Sequence, residues 1–173
     1  MVLNPTCEPE KSPVSVKFKR LTANAVVPTK AHPTDAGYDI TATSAYIDKC
    51  GNAVYGTGLA LEIPEGYAGF LFPRSSVCAT DIALTNAVGV VDSHYRGEVK
   101  FKFRPTPMFT NVPRTAPEDS LYTGVLPFSP KIYQPGERIG QLIVLPVPDV
   151  TFIECDSLSD TDRGEGGYGS SGK

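Results

Sequence analysis

The chain of 173 residues lacks the patterns on which several common kinds of site depend. It has only two histidines, and its four cysteines form no C-x-x-C pair or other metal-ligand spacing: Cys7, Cys50, Cys78 and Cys155. A structural zinc site is therefore not expected, and the cysteines are predicted to be reduced. No apolar run approaches the roughly 18 residues of a membrane span, and the first residues have no basic start or apolar core typical of a signal peptide. We expect a soluble cytoplasmic protein that does not enter a membrane.

The chain also lacks an excess of positive charge. Its net charge of −3 argues against broad electrostatic binding of nucleic acid. An anionic ligand must therefore be held by local groups or by a metal. With 40% hydrophobic and 20% charged residues, the composition is that of a globular protein. We expect a single domain over residues 1–173, with a flexible lead-in over residues 1–13.

Long helices have little room in this sequence. It contains 16 glycines and 16 prolines, and no stretch without either exceeds 15 residues. Strand-like segments occur instead, in VSVKFKR, GLALEIP, EVKFKFR, RIGQLIVLPV and DVTFIEC. A short helix is expected to begin near Ser75 and Ser76, since serine is a good N-cap. The pattern predicts an all-β sandwich or barrel with at most one short helix.

Residues 104–130 differ from the rest of the chain. They include six prolines in 27 residues and show no sustained period of either kind. We interpret them as a long surface insertion between two strands. Loops of this length are commonly functional or disordered.

The C-terminal stretch RGEGGYGSSGK, residues 163–173, matches the pattern G-x-G-x-x-G at Gly164, Gly166 and Gly169. A dinucleotide-binding loop needs a strand before the pattern and a helix after it, and only four residues follow Gly169. A Gly/Ser-rich terminus is usually a disordered tail. Arg163 and Tyr168 among the glycines leave a phosphate-binding arm as the alternative.

Two segments carry carboxylates at turns. TDAGYDI places Asp35 and Asp39 around a glycine, a pattern that also serves simple turn chemistry. NAVGVVDSHYRGEV places Asp92 after two valines. We expect apolar, partly desolvated surroundings there, which would suit a carboxylate that accepts a proton from water. An aspartate that starts a turn is the alternative for Asp92.

Two further segments offer groups for an anion. FPRSSV combines Arg74 with two hydroxyls and the expected helix N-terminal amides, which suits phosphate oxygens unless Arg74 is only a surface residue beside an N-cap. QPGERIGQLIV places Arg138 and Gln141 in a buried strand. Polar groups in such a strand either pair structurally or face a ligand.

Five segments in order, AGYDI, PRSS, GVVDSHYRGE, GERIGQLI and RGEGGYGSSG, resemble the motifs of the trimeric all-β dUTPases. The resemblance covers residues 14–173 apart from the insertion 104–130. It implies a distorted jelly-roll or β-barrel-like fold and a homotrimer whose active sites are shared between chains. It also implies Mg²⁺-dependent hydrolysis of dUTP to dUMP and pyrophosphate by attack of water at the α-phosphorus. This reaction limits uracil in DNA and supplies dUMP for thymidylate synthesis.

The same resemblance implies a role for each motif residue. Asp92 would activate the water, and Asp39 would contact the metal through water, while Arg138 would be a structural ion-pair partner. A hairpin from Asn86 to Lys100 would read uracil through its backbone. Substrate contacts would come from Arg74, Ser75, Ser76, Asn86, Gly89, Val90, Val91, Tyr95, Lys100, Gln141, Arg163, Tyr168, Gly169, Ser170 and Ser171.

Two of these contacts would set specificity and closure. Tyr95 would pack under the deoxyribose and leave no room for a 2′-hydroxyl. The arm at residues 163–173 would order over the site of a neighbouring chain, with Tyr168 on the uracil and Arg163 on the phosphates.

Two other functions are compatible with parts of the sequence. A dCTP deaminase of the same fold is disfavoured by the intact VVDSHYRGE segment. A nucleotide-sensing interaction module would bind a protein partner through the insertion 104–130, and it could coexist with catalysis.

Overall fold

The structure, a computed structural model, describes residues 13–106 and 131–167. Their regular structure consists of one short 3₁₀ helix at Ser75–Ala79 and nine β-strands, which are β1 Lys17–Arg20, β2 Tyr38–Thr41, β3 Ser44–Ile47, β4 Ala53–Glu62, β5 Tyr67–Pro73, β6 Ile82–Leu84, β7 Gly89–Val91, β8 Glu98–Pro105 and β9 Arg138–Pro146. The all-β class and the single short helix are therefore confirmed. No helix of the described residues is long and apolar enough to cross a membrane.

The strands form two antiparallel sheets. The first sheet has the order β1-β4-β8-β6, with β3 also paired to β4, and the second has the order β2-β9-β5-β7. Because each sheet has an apolar inner face, the two pack on one another around a shared core. Strands β5 and β9 pair along their length, from Tyr67 opposite Pro146 to Pro73 opposite Gly140. This pairing positions part of the candidate site, since Arg74 directly follows β5 and Gln141 of β9 lies opposite Phe72.

The core is built from the alternating residues that the sequence predicts. Val99, Phe101 and Phe103 on β8 are at most 2% exposed. Phe101 lies against Gly140 of the opposite sheet, where an added Cβ would come within 2.1 Å of its ring. A glycine at that position lets the sheets approach closely, because any side chain would have to displace the phenyl ring.

Two of the predicted strand segments differ from expectation. The apolar side of the first strand is not buried, since Val14 and Phe18 are 42% and 46% exposed. Residues 149–155 are not a strand, and Phe152 and Ile153 are 94% and 82% exposed. Apolar alternation alone does not make a strand, because its backbone groups need a neighbouring strand, and none lies beside this segment among the described residues.

The predicted hairpin from Asn86 to Lys100 is wrong. Strand β7 pairs with β5 in the second sheet, whereas β8 pairs with β4 and β6 in the first. Residues 92–97, here called the crossing segment, therefore connect the two sheets. Val91 and Val99 both enter the core, from opposite sides, which satisfies the apolar pattern of each strand without pairing them.

The insertion begins and ends at one point of the domain. Its residues 107–130 lie outside the described part of the chain. On one side, the Thr106 N–H donates to the carbonyl of Asp81 at 2.8 Å. On the other side, the Lys131 N–H donates to Asp81 Oδ2 at 2.7 Å, and the Asp81 N–H donates to the Lys131 carbonyl at 2.9 Å. Asp81 follows the 3₁₀ helix, so the insertion is tied to the element that carries Ser75 and Ser76.

Candidate functional site

A buried carboxylate on β2, at one edge of the second sheet, organises the first group of site residues. Asp39 of β2 lies opposite Gln141 of β9, and Gln141 lies opposite Phe72 of β5. Arg74 follows β5 directly and donates from Nε to Asp39 Oδ1 at 2.9 Å. Gln141 donates to the same oxygen at 3.3 Å, and Arg138 donates from Nη1 to Oδ2 at 2.9 Å. The sheet register thus gathers four motif residues that are far apart in the sequence.

The Asp39 carboxylate is charged and nearly enclosed, with a side-chain exposure of 7%. Burial on its own would raise the pKa of Asp39. The hydrogen bonds from Arg74 and Gln141, together with the charges of Arg74 and Arg138, outweigh burial and hold the pKa below its ordinary value of 3.8. The expected ion pair of Arg138 is present, and two guanidinium groups share this one carboxylate. Arg138 remains 54% exposed, so it keeps N–H donors for another anion.

The 3₁₀ helix brings hydroxyl groups beside these guanidiniums. Its N-cap position is held by Arg74, with extended backbone angles and no side-chain cap, so the expectation of a serine N-cap is wrong. Ser75 is exposed and Ser76 is half-buried. Arg74 Nη1 lies 3.4 Å from Ser76 Oγ. Together they border a pocket of about 330 Å³, the arginine pocket, whose walls are Arg74, Ser76, Tyr133, Gly136, Glu137 and Arg138.

A second group of site residues lies around β7, the edge strand of its sheet. Gly89 and Val91 are buried, whereas Val90 is 60% exposed. Among the described residues no strand pairs with the outer edge of β7, which leaves backbone N–H and C=O groups there for a ligand. Ala87, which precedes this strand, has a φ of 58°, a left-handed conformation that is strained for alanine.

Asp92 follows β7 and is exposed, so the expectation of desolvated surroundings is wrong for the single chain. In the crossing segment, Tyr95 donates from its hydroxyl to the Glu98 carbonyl at 3.0 Å. The ring passes over Gly97, where an added Cβ would lie 2.4 Å from the Tyr95 hydroxyl oxygen. A glycine at position 97 is therefore required for this orientation of the ring. Lys100 is exposed, with its ammonium 3.2 Å from the Glu98 carboxylate.

Asp92 and Arg74 lie at opposite ends of β5. Val91 is opposite Gly69, whereas Gly140 is opposite Pro73. Asp92 follows Val91 and is therefore level with Ala68, whereas Arg74 follows Pro73, six residues further along the strand. At about 3.3 Å per residue, they are separated by roughly 20 Å along the strand. A single chain therefore brings together Asp39, Arg74, Ser75, Ser76, Arg138 and Gln141, and it keeps Asp92 apart from them. Gly89, Val90 and Val91 lie along β5 between these two ends, opposite Leu71, Phe70 and Gly69. Asn86 precedes β7, whereas Tyr95 and Lys100 lie after Asp92, in the crossing segment and on β8.

The C-terminal arm is described only in part. Arg163 donates from Nε to the Gly166 carbonyl at 2.9 Å, so in the single chain it closes its own turn. Tyr168, Gly169, Ser170 and Ser171 lie outside the described residues. Their predicted contacts therefore remain predictions.

Three residues of the site were not identified from the sequence. Tyr133 bonds to Ser76 from 57 positions away, Gly97 supports the Tyr95 ring, and Ala87 holds strained backbone before the edge strand. A glycine two positions after an aromatic residue was a usable sign for Gly97. Nothing local distinguishes Tyr133 from an ordinary core aromatic residue.

Comparison with known proteins gives the family. The dUTPase family model matches residues 23–106. The deoxyuridine 5′-triphosphate nucleotidohydrolase of Thermobifida fusca is 37% identical over 161 residues, which are 92% of this chain and 79% of that protein. A Staphylococcus bacteriophage 80alpha dUTPase with dUPNHPP has a TM-score of 0.69 at 27% identity, and covers 92% of this chain and 99% of that chain.

A second similar structure concerns a dUTPase that binds a metal ion. It is a mutant dUTPase from phage phi11 of S. aureus, described for the coordination of a structural Mg(II) ion, with a TM-score of 0.64 at 26% identity over 83% of this chain and 97% of that one. Relatives of this identity and coverage establish descent, and the all-β architecture agrees with it. The chain belongs to the dUTPase family of enzymes.

Proposed function

We propose that this chain hydrolyses dUTP to dUMP and pyrophosphate at sites shared between the subunits of a homotrimer. The observation that carries the proposal is the arginine pocket. Two guanidiniums oriented by the Asp39 carboxylate lie beside the Ser76 hydroxyl, a donor set that matches phosphate oxygens. Arg74, Ser75, Ser76 and Gln141 would bind the triphosphate there. This reaction would limit uracil in DNA and supply dUMP for thymidylate synthesis, in the cytoplasm as expected from the sequence.

The catalytic step needs only water and a carboxylate. Asp92 would accept a proton from the attacking water, whose oxygen forms the new bond to the α-phosphorus. The bond from that phosphorus to the bridging oxygen breaks, and pyrophosphate leaves with the electron pair. Arginine donors on the phosphates would stabilise the charge that develops in the transition state. No protein nucleophile is required.

The distance between the groups supports sharing of each site. Asp92 and Arg74 of one chain are separated by roughly 20 Å along β5, which is too far for both to serve one α-phosphorus. A site with both residues is complete if Asp92 comes from one copy and the arginine pocket from another. The exposed apolar residues of the C-terminal part support association, since Phe152, Ile153 and Leu158 are at least 82% exposed in the single chain.

The base would be read at the edge of β7. Backbone groups at Gly89, Val90 and Val91 can pair with uracil, whereas cytosine would leave a donor or acceptor unpaired at about 1–3 kcal/mol each. Thymine would be rejected because its methyl group overpacks a fixed strand, at about 1–3 kcal/mol. Tyr95, held over Gly97, would exclude a 2′-hydroxyl. Asn86 and the Lys100 backbone would complete this surface.

Mg²⁺ would come with the triphosphate. The described residues contain no group of three or more His, Cys, Asp or Glu side chains that could hold a metal ion. Asp39 does not fit a direct ligand, because Oδ1 accepts from Arg74 and Gln141 and Oδ2 from Arg138. A contact through water at Oδ2 is compatible with this geometry, since Mg²⁺ keeps several waters. When bound, the ion would neutralise charge on the phosphates.

The C-terminal arm would close the site. Arg163 would reach the phosphates, Tyr168 would stack on the uracil, and Ser170 and Ser171 would donate to the terminal phosphate, with Gly169 as a further substrate contact. A truncation after Asp162 should keep the oligomer and lose most turnover. Full activity of that variant would exclude the arm from the mechanism.

Pyrophosphate release with Mg²⁺ tests the proposal. We expect dUTP to be turned over and dTTP, dCTP and UTP to react poorly. Asp92→Asn should retain binding of a non-hydrolysable dUTP analogue while turnover nearly disappears. Equal turnover of dTTP would contradict the base recognition, and surviving turnover in Asp92→Asn would contradict its role.

A second function at the insertion is favoured by one observation. Both ends of residues 107–130 are tied to Asp81, next to the 3₁₀ helix of the arginine pocket. A protein partner bound to the insertion 104–130 would therefore act close to the phosphate contacts. Replacing 107–130 by a short turn should abolish partner binding and leave dUTP hydrolysis in place; unchanged partner binding would exclude this function.

A further inference from the structure

Tyr133 belongs to the core by its ring and to the arginine pocket by its hydroxyl. The residue is 6% exposed, and its ring makes edge contacts with Phe103 and Tyr55, at centroid distances of 5.9 and 6.3 Å. Its hydroxyl oxygen lies 3.1 Å from Ser76 Oγ. Because its ring is packed in the aromatic core, the Tyr133 hydroxyl is held in a fixed position beside the Ser76 hydroxyl.

The backbone around Tyr133 is fixed on both sides. Its carbonyl accepts from the Tyr55 hydroxyl at 3.0 Å. Two residues earlier, Lys131 is held by Asp81, and three residues later the Gly136 N–H donates to the Ala42 carbonyl at 2.8 Å. With ring and backbone both held, the phenol has little freedom to move away from Ser76.

Either hydroxyl can donate in the contact between Ser76 and Tyr133, and the direction decides where the Ser76 proton goes. A serine hydroxyl has two acceptor lone pairs and one proton. Arg74 can only donate, and Tyr133 fills the second lone pair when it too donates. Because both lone pairs are then occupied, the Ser76 proton must be given to a third group, and the arginine pocket is where that group would lie.

We propose that Tyr133 donates to Ser76 Oγ and is thereby a positioning residue that turns the Ser76 hydroxyl into a donor for a phosphate oxygen of the substrate. The inference rests on the proposed function. Without the phenol hydroxyl, Ser76 can rotate, and its proton is no longer directed at the ligand. Loss of the Tyr133 hydroxyl should therefore weaken binding of the substrate phosphates and leave recognition of the base unchanged.

Tyr133→Phe tests the proposal, since it keeps the ring and removes one oxygen. We expect KM for dUTP and Kd for a non-hydrolysable dUTP analogue to rise about fivefold, the loss of one hydrogen bond, with kcat changed less. The inhibition constant of deoxyuridine, which has no phosphate, should be unchanged. Tyr46→Phe is the matched control, because it removes the same hydroxyl from an exposed tyrosine on β3, in the other sheet, and should leave KM near the wild-type value.

A double-mutant cycle assigns the effect to Ser76. In a Ser76→Ala background, Tyr133→Phe should have no further effect on Kd. An equal effect in both backgrounds, or wild-type KM in Tyr133→Phe, would overturn the inference. All variants are compared at a temperature where circular dichroism shows complete folding. Absence of dUTP turnover by the wild-type protein would count against the proposed function instead, so the two failures are distinct.

Discussion

Replacement of Asp39 by asparagine probes the centre of the arginine pocket. The substitution keeps the shape and removes the charge that Arg74 and Arg138 share. The Arg74 contact is enclosed, with side-chain exposures of 23% and 7%, so its loss should cost about 1.5–3 kcal/mol as a charge-assisted hydrogen bond. Arg138 is half exposed, and its contact should add only about 0.5–1 kcal/mol because solvent screens it. We expect the free energy of unfolding to fall by about 3 kcal/mol.

The pH dependence of this difference is a second signature. Because the folded pKa of Asp39 is held below its ordinary value of 3.8, its stabilisation is fully present above that value and is lost as pH falls through the folded pKa. The difference in unfolding free energy between wild type and Asp39→Asn should therefore be constant from about pH 5 to 7 and become smaller in more acidic solution.

Urea unfolding followed by circular dichroism over this pH range measures both quantities. Asp35→Asn is the matched control, because it makes the same charge change at a turn where, among the described residues, the carboxylate accepts only from the His32 N–H, at 2.8 Å. It should cost below about 0.5 kcal/mol, as surface substitutions usually do. A loss below about 1 kcal/mol in Asp39→Asn at pH 7, or a gap independent of pH, would refute the description of this ion-pair centre.

Three further substitutions give separate tests. Gly97→Ala should displace the Tyr95 ring and lower the preference for dUTP over UTP about tenfold, measured as the ratio of kcat/KM; an unchanged ratio would remove that ring from sugar recognition. Ala87→Gly should raise the unfolding free energy by about 0.5–1 kcal/mol, since glycine adopts a φ of 58° without strain; a lower melting temperature would contradict this. Replacement of Phe152 and Ile153 by serine should weaken self-association in sedimentation experiments, and an unchanged mass would exclude that surface from the interface.

Local patterns in the sequence predicted most of the fold. The alternation in β8 predicted the burial of Val99, Phe101 and Phe103, because a strand packed on a core must place every second side chain inward. The same rule wrongly predicted a strand at residues 149–155, where apolar residues alternate but no strand forms. A strand needs a partner edge, and the identity of the partner is not encoded in the segment itself.

The arrangement of the site depended on contacts between distant residues. The motifs single out Arg74 and Asp92 as candidate site residues, but their separation follows from the pairing of β7 with β5, and not with β8. No local period specifies that choice. The contact of Tyr133 with Ser76 likewise spans 57 positions and depends on how the aromatic cluster packs. Tertiary packing therefore decided what propensity and spacing left open.

Complementation between two inactive variants tests the shared site most directly. Asp92→Asn and Arg74→Ala are each expected to lose turnover of dUTP. If Asp92 and Arg74 of different chains meet in one site, a refolded equal mixture should regain activity at about a quarter of its sites, the fraction expected for random mixing. A mixture as inactive as its two components, with mixed oligomers confirmed by mass spectrometry, would contradict a site shared between chains.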